Sequence, residues 1–394
     1  MRVPAFAATV SALCTSALLL TALAGCAGPP PADRPTTKNG DAAPLAARTT
    51  TPALPVPHGK GSKVPSDFNG DGHRDLVLND LVKAPADSHG DDAGIGIVYG
   101  TGTGTGTDAD AGADAGTDAG TGTDRRLDPA TRQLLAPRTH GAEVEGVLPA
   151  AFDAKVSCDL DEDGYADLIV TTDPPYDGTG RPPVPLQLLF GSPSGITGKA
   201  VVLRVPEQAR HGDDWPDHPV CGDFDGDGST DLAVTASAGR VSFLRGPFSR
   251  TGAPRAATAP VPGGGPAIAA PAGAADTDGD GADDLVVLPR TPVAGAAARG
   301  TLLLGGPGGP VRPGGAYVFD ALTLPPAPDL PAGETKPVTD VLAYADFDGD
   351  RKLDLVTRTH RGERVDVIAL YPAARPAEAR PAVTFSTSVF LPPA

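Results

Sequence analysis

Asp223-Phe224-Asp225-Gly226-Asp227-Gly228-Ser229-Thr230-Asp231, followed by the apolar run Leu232-Ala233-Val234, places four carboxylates and two glycines in one short stretch. Its pattern, Asp-x-(Asp/Asn)-x-Asp-Gly-x-x-Asp, recurs with starts at Asp67, Asp159, Asp276 and Asp346. The five copies are 92, 64, 53 and 70 residues apart, and removing a low-complexity run at Thr101–Thr123 brings the first interval into line with the rest. A period of roughly 50–70 residues marks a repeat architecture.

Each copy leads into a strand-like run: Leu76-Val77-Leu78, Leu168-Ile169-Val170, Leu285-Val286-Val287 and Leu355-Val356-Thr357 match the run after Asp231. A second strand pattern follows in each repeat, at Ile95–Gly100, Leu186–Gly191, Val241–Gly246, Thr301–Gly305 and Val365–Tyr371, mostly closed by Gly. The composition agrees. With 50 Gly and 44 Pro in 394 residues and only 5% aromatics, long helices are excluded, because Pro costs about 3 kcal/mol and Gly about 1 kcal/mol in a helix interior. The 40% of hydrophobic residues still allows a core. The sequence therefore predicts an all-β fold whose unit is strand, Asp-rich loop, strand, turn, strand. A repeat of this size buries its sheet faces only against neighbouring copies, as a β-propeller blade does.

The formal net charge of −17, from 49 acidic and 32 basic side chains, argues against a nucleic-acid partner. The acidic residues cluster at fixed spacing, which points to cation binding. Ca²⁺ takes 6–8 oxygen ligands, and positions 1, 3, 5 and 9 of a tight loop can supply four of them. These are Asp67, Asn69, Asp71 and Asp75 in the first copy, Asp159, Asp161, Asp163 and Asp167 in the second, and Asp223, Asp225, Asp227 and Asp231 in the third. The fourth copy offers Asp276, Asp278, Asp280 and Asp284, and the fifth Asp346, Asp348, Asp350 and Asp354. A backbone carbonyl is expected from position 7, Ser229 in the third copy, and the position-6 Gly allows the turn. Arg351 replaces that Gly in the fifth copy and adds a positive charge, making this the poorest of the five loops. An EF-hand opens in the same way but needs Glu at position 12. Here that position holds Leu78, Val170, Val234, Val287 and Thr357. Turns favour Asp and Gly without any metal, but a turn needs one or two such residues rather than four converging oxygens.

From about Val64 to Ala394 the repeats resemble FG-GAP or VCBS repeat proteins, whose blades build the integrin α-subunit propeller and many bacterial secreted proteins. The resemblance implies a β-propeller with calcium in the Asp loops and a binding or adhesion role. Five blades can be counted. Six or seven are the alternatives, because the family often has seven and a blade without an Asp loop would escape the pattern.

Met1 and Arg2 precede an apolar stretch from about Ala5 to Ala24, built like an export signal although near the length of a membrane span. It ends in Leu23-Ala24-Gly25-Cys26, which resembles the lipobox of bacterial lipoproteins and implies cleavage before Cys26 and lipidation of its thiol. The expected organisation is a signal peptide over 1–25, a Pro/Thr/Ala-rich tether over 26–62, and the propeller over 63–394 with an insertion at 101–123. The mature chain is expected on the outer face of the bacterial cell membrane, held by the lipidated cysteine.

Cys158 and Cys221 sit one and two residues before consecutive Asp loops. A one-residue displacement turns a side chain to the opposite sheet face, so in neighbouring blades the two thiols could face each other. A disulfide and two buried free thiols are both open readings. No His-Glu-x-x-His, Gly-x-Ser-x-Gly or phosphate-loop pattern is present, and Gly191-Ser192-Pro193-Ser194-Gly195 has the wrong spacing for a nucleophile elbow. His211 and His218 flank Asp213, Asp214, Trp215 and Asp217 in a polar loop, either plain surface or a sugar contact through Trp215. The balance is against an enzyme, and no catalytic residue is assigned. The leading expectation is a calcium-stabilised monomer that binds an extracellular protein or glycan. The alternatives are a polysaccharide-active hydrolase or lyase on the same scaffold, and a passive envelope spacer.

Overall fold

The computed structural model describes residues 52–84, 93–102, 125–210, 217–237, 240–262, 265–374 and 380–392. The apolar stretch near the N-terminus, Cys26, most of the tether, most of the low-complexity run, and His211 with Trp215 lie outside the described residues. None of the described helices is long and apolar enough to cross a membrane.

Runs of β-branched and leucine residues between Gly, Pro and Asp punctuation produce twenty strands among the described residues, in five antiparallel sheets. Sheet 1 contains β1 (Leu76–Leu78), β2 (Ile95–Gly102) and β3 (Arg125–Leu135). Sheet 2 contains β4 (Phe152–Cys158), β5 (Asp167–Thr172), β6 (Leu186–Leu189) and β7 (Val201–Val202). In sheet 3 the strands are β8 (Asp217–Gly222), β9 (Asp231–Ser237), β10 (Arg240–Phe248), β11 (Pro254–Ala257) and β12 (Val261–Pro262). Sheet 4 follows with β13 (Ala267–Ala269), β14 (Leu285–Leu288), β15 (Ala298–Leu304) and β16 (Arg312–Phe319). Sheet 5 ends the series with β17 (Val338–Ala345), β18 (Asp354–Arg361), β19 (Val365–Tyr371) and β20 (Val383–Phe385). Sequence neighbours pair in every sheet, with β12 added on β10 in sheet 3, and together the sheets form a five-blade β-propeller. The low-complexity run is the connection between β2 and β3.

Each sheet alone is too small to bury both faces, and the apolar clusters accordingly form between blades. Phe68 of the first Asp loop and Ile97 and Tyr99 of sheet 1 pack with Phe152, Leu168 and Val170 of sheet 2. The opposite face of β5 carries Ile169, which joins Leu188, Leu232 and Leu244 in the cluster between sheets 2 and 3. Phe224 and Phe243 of sheet 3 meet Leu285 and Leu303 of sheet 4. Sheets 5 and 1 close the ring through Val356, Ile368 and Leu370 against Leu76, Leu78 and Val98. The C-terminal segment reinforces that closure: Val82 N–H donates to Thr387 Oγ1 (2.8 Å) and Arg132 Nε donates to Val389 O (3.0 Å). Sheets 4 and 5 share less, chiefly Leu322, which packs on Leu355, Ala369 and Tyr371 and donates its N–H to Gly295 O.

Two features differ from the sequence reading. Among the described residues the first sheet has no strand ahead of its Asp loop, where Asp75 N–H donates to Ser66 O (3.0 Å). Residues 54–62, grouped with the tether on composition, instead lie along the first two loops, with Gly59 N donating to Asn69 O (3.0 Å) and Ser62 N to Gly164 O (2.8 Å). Their lack of apolar period conceals them, since they are held by backbone hydrogen bonds.

Cys158 and Cys221 are joined in a disulfide that spans 63 residues and links sheets 2 and 3 within their shared cluster. Closing a loop of this length stabilises by roughly 2–4 kcal/mol. Cys221→Ser is therefore expected to lower the unfolding free energy by that amount, read as a lower denaturant midpoint, while leaving the strand signal in circular dichroism unchanged. An unaltered midpoint would show that the two blades hold together without the crosslink.

Candidate metal centres

In sheets 2 to 5 the Asp loop joins the first strand to the second, and the five loops share one internal geometry. The position-1 carboxylate accepts N–H groups from later in its own loop: Asp223 takes Asp227 N (3.0 Å) and Gly228 N (2.9 Å), and Asp67 takes Gly70 N and Gly72 N, both at 2.7 Å. Position 5 accepts the N–H of position 7, as Asp227 does from Ser229 (3.0 Å). Position 6 must be left-handed to bring these donors round, with φ of +86° at Gly72, +88° at Gly228 and +90° at Gly281. Arg351 takes the same conformation at φ +65° and still donates its N–H to Asp346 (2.9 Å). The fifth loop thus keeps the shape of the others at the cost of a strained non-glycine residue.

Position 9 has a second role that the spacing does not reveal. Both oxygens of Asp231 accept a backbone N–H, one from Phe224 at position 2 (3.1 Å) and one from Gly246 near the end of β10 (2.8 Å). Asp167 does the same with Leu160 and Gly191, and Asp75 with Phe68 and Gly100. Asp284 takes Thr277 and Gly305, while Asp354 takes Phe347 and Ala373. This aspartate therefore clamps the loop to the neighbouring strand in all five blades. The Gly that closes four of those strands was visible in the sequence, but its partner was not.

The structure gathers positions 1, 3 and 9 more tightly than position 5. Asp159/Asp161/Asp167, Asp223/Asp225/Asp231, Asp276/Asp278/Asp284 and Asp346/Asp348/Asp354 each bring one carboxylate oxygen per residue within 4.8 Å of the others, so four groups could hold a metal ion. The first loop has Asn69 at position 3, with Asp67 and Asn69 almost completely buried. The expected four-residue convergence is corrected at position 5. Asp163, Asp227, Asp280 and Asp350 stand outside these groups, each paired with a basic side chain: Arg250, Arg255, Arg312 and Lys352. Those basic residues follow no repeat spacing, so the sequence offered no sign of them.

Three position-3 oxygens, Asn69 Oδ1, Asp161 Oδ1 and Asp225 Oδ1, are buried with no hydrogen-bond partner. A buried polar atom left unpaired costs about 1–3 kcal/mol, and a cation in the loop would satisfy it. The donors are all oxygen, as a hard cation requires. The residues present therefore fit a metal.

Burial raises four of the position-9 carboxyls, Asp167 to about 8, Asp231 to about 7, Asp75 well above the ordinary range and Asp354 above it. Arg255 has the opposite effect on Asp227, holding its carboxyl below the ordinary range. A raised acid keeps its proton in the folded chain where the unfolded chain has lost it. Its contribution is complete below about pH 4 and is lost as pH rises through 7 to 8. The chelated protein should therefore melt at a lower temperature near pH 8.5 than near pH 5.5, and a melting temperature that climbs across that window would contradict the burial argument. Asp231→Ala should cost roughly 2–5 kcal/mol by stranding two buried N–H groups, and Asp231→Asn, which keeps one acceptor, should cost less. Arg351→Gly should raise stability by about 1 kcal/mol by relieving the left-handed residue. Both are read from denaturant midpoints.

Residues 223–287 match the family model described as an FG-GAP-like repeat. No curated protein and no solved structure matches the chain. The matched stretch holds two consecutive Asp loops and the strands that follow them. Residues 223–287 are thus an FG-GAP-like repeat within a five-blade β-propeller, and the same loop and the same position-9 clamp recur in the sheets on either side.

Proposed function

We propose that the protein is a surface-anchored, calcium-stabilised propeller that serves as a binding or adhesion module for an extracellular protein or glycan. The metal reading is carried by the buried, unpaired position-3 oxygens beside grouped carboxylates. Calcium suits them better than magnesium, because oxygens around an ion at 2.3–2.6 Å can stand about 5 Å apart, whereas the shorter bonds and strict octahedron of magnesium demand a tighter set. The loops sit beside strand ends, where the ion would supply charge neutralisation and rigidity. The Leu23–Cys26 lipobox resemblance supports anchoring at the membrane, and a thioether-linked lipid with a further acyl chain gives stable attachment. The binding role is supported by exposed apolar side chains on sheets 4 and 5, among them Val318, Val338 and Tyr344.

One observation favours the enzyme alternative. At the ends of the strands opposite the Asp loops, a cavity of about 640 Å³ is lined by Asp153, Asp173, Asp340, Arg358, His360 and Glu363, from sheets 2 and 5 together with residues after β1. His360 Nε2 lies 2.9 Å from Asp340 Oδ2. Carboxylates and a histidine in one cleft are the groups glycoside hydrolysis uses.

Thermal unfolding with millimolar calcium and then with chelator tests the structural role, and calcium is expected to raise the melting temperature by several degrees. No difference would remove calcium from the scheme. Polysaccharide cleavage that is lost in Asp153→Asn and in His360→Ala would move the assignment to the enzyme; glycan or protein binding without turnover supports the module.

A further inference from the structure

The five loops share a sequence pattern but not an electrostatic setting. In the second loop Arg250, which belongs to the turn after β10 in the next blade, places Nε 2.7 Å from Asp161 Oδ2 and a second nitrogen on Asp163. In the third loop Arg245 lies 3.1 Å from Asp225 and Arg255 pairs with Asp227. Arg312 stands 2.6 Å from Asp280 and 3.8 Å from Asp278 in the fourth, and Lys352 meets Asp350 in the fifth. Of these, Asp161, Asp225 and Asp278 are position-3 carboxylates of the groups that could hold a divalent ion, and the position-5 carboxylates stand beside those groups.

The first loop differs in two ways. Among the described residues, no lysine or arginine stands within ion-pair distance of Asp67, Asp71 or Asp75. The segment before it also covers it: Ser62 Oγ donates to Asp67 Oδ2 (2.5 Å), and Asn69 Nδ2 donates to Pro57 O (2.9 Å). The fit is close enough that a Cβ on Gly59 would lie 2.0 Å from the Gly70 carbonyl. Asn69 is completely buried, yet its Oδ1 has no partner.

We propose that the loops form two classes: the first is a tight, slowly exchanging divalent site sealed by residues 57–62, and the other four are weaker sites whose basic side chains compete with the ion for the loop carboxylates. The inference rests on the calcium reading above and deepens it. A guanidinium fork matches a pair of carboxylate oxygens and carries a permanent charge, so an ion entering the second loop must either displace Arg250 or sit beside it against like-charge repulsion. Arg250 also stacks on Phe190, with the guanidinium 5.2 Å from the ring centre, which holds it in place. The sealed first loop offers the ion a buried, unpaired oxygen and, among the described residues, no charged competitor, only the neutral donors Ser62 Oγ on Asp67 and Asn69 Nδ2 on Asp71 (3.0 Å).

Calcium titration of the full chain in mild detergent, by calorimetry and by equilibrium dialysis with radioactive calcium, tests this. One site is expected to bind about tenfold or more tightly than the rest. Arg250→Gln and Arg312→Gln, which remove charge but keep a hydrogen-bond donor, should each tighten one weak site by about tenfold and leave the tight site unchanged. Asp67→Asn should abolish the tight site alone, and Ser62→Ala should speed its calcium release, each checked for an unchanged circular dichroism spectrum. Equal affinities throughout, or weak sites indifferent to both arginine substitutions, would overturn the two-class inference while leaving calcium binding intact. No bound calcium at several millimolar would overturn both.

Discussion

The fold depends on a buried carboxylate at the ninth position of each loop. Asp231 is inaccessible to solvent, and both its oxygens are committed to backbone N–H groups of separate segments, the loop itself and the far part of β10. Backbone donors at a strand junction have no ladder partner, and leaving them buried and unpaired is expensive. One short side chain satisfies two of them and fixes the loop against its sheet. Leucine follows directly and enters the inter-blade core, so the clamp also sets which face of the second strand is buried. Repeated five times, it gives each blade the same register between loop and sheet.

This arrangement concentrates negative charge. Three carboxylates within 4.8 Å of one another repel strongly, by roughly 4 kcal/mol for a pair about 4 Å apart at an effective dielectric near 20. Internal N–H donors relieve part of it at position 1, where loop amides hold the Asp276 carboxyl below its ordinary range. Basic side chains relieve another part at position 5. Burial at position 9 works against ionisation, so protonation and cation binding are competing answers to the same crowding. Which one prevails changes with pH and metal supply, and the folded geometry is compatible with either.

The repeat, the all-β class and the grouping of the Asp loops were legible because each has a short-range signature: fixed spacing, apolar runs of strand length, and a glycine where the backbone must turn left-handed. The Cys158–Cys221 pairing was legible as one of two readings, since two equivalent strands of adjacent blades bring their ends together. What escaped were contacts between segments with no periodic mark. Arg250 reaches back one blade from a turn, and Ser62 approaches Asp67 from a Pro-rich stretch whose composition matches a linker. Arg351 misleads in the opposite direction: its charge and missing glycine suggested a defective loop, yet the backbone amide makes the bond that the loop needs. Backbone donors are common to every residue except proline, so sequence identity at that position predicts strain better than it predicts loss of the loop.

The antiparallel pairing also separates two kinds of chemistry. In sheet 2 the loop end of the β4–β5 pair is Cys158 opposite Asp167, and the other end is Phe152 opposite Thr172. In sheet 5 the corresponding ends are Ala345 opposite Asp354 and Val338 opposite His360. A strand of six or seven residues spans roughly 20 Å, so the cation loops and the Asp340–His360 cavity lie at opposite ends of the same hairpins. Carboxylates at the loop end are consumed by clamps, amides and basic partners. Those around the cavity come from strand beginnings and ends that the repeat pattern leaves unconstrained. Arg358 links this end to the ring closure: it is buried, its Nε lies 3.3 Å from Asp366, and Asp366 in turn accepts the Thr387 N–H (2.9 Å) from the C-terminal segment. A ligand that pulled on Arg358 would therefore be felt at the seam between sheets 5 and 1, while the loops at the far end kept each blade rigid.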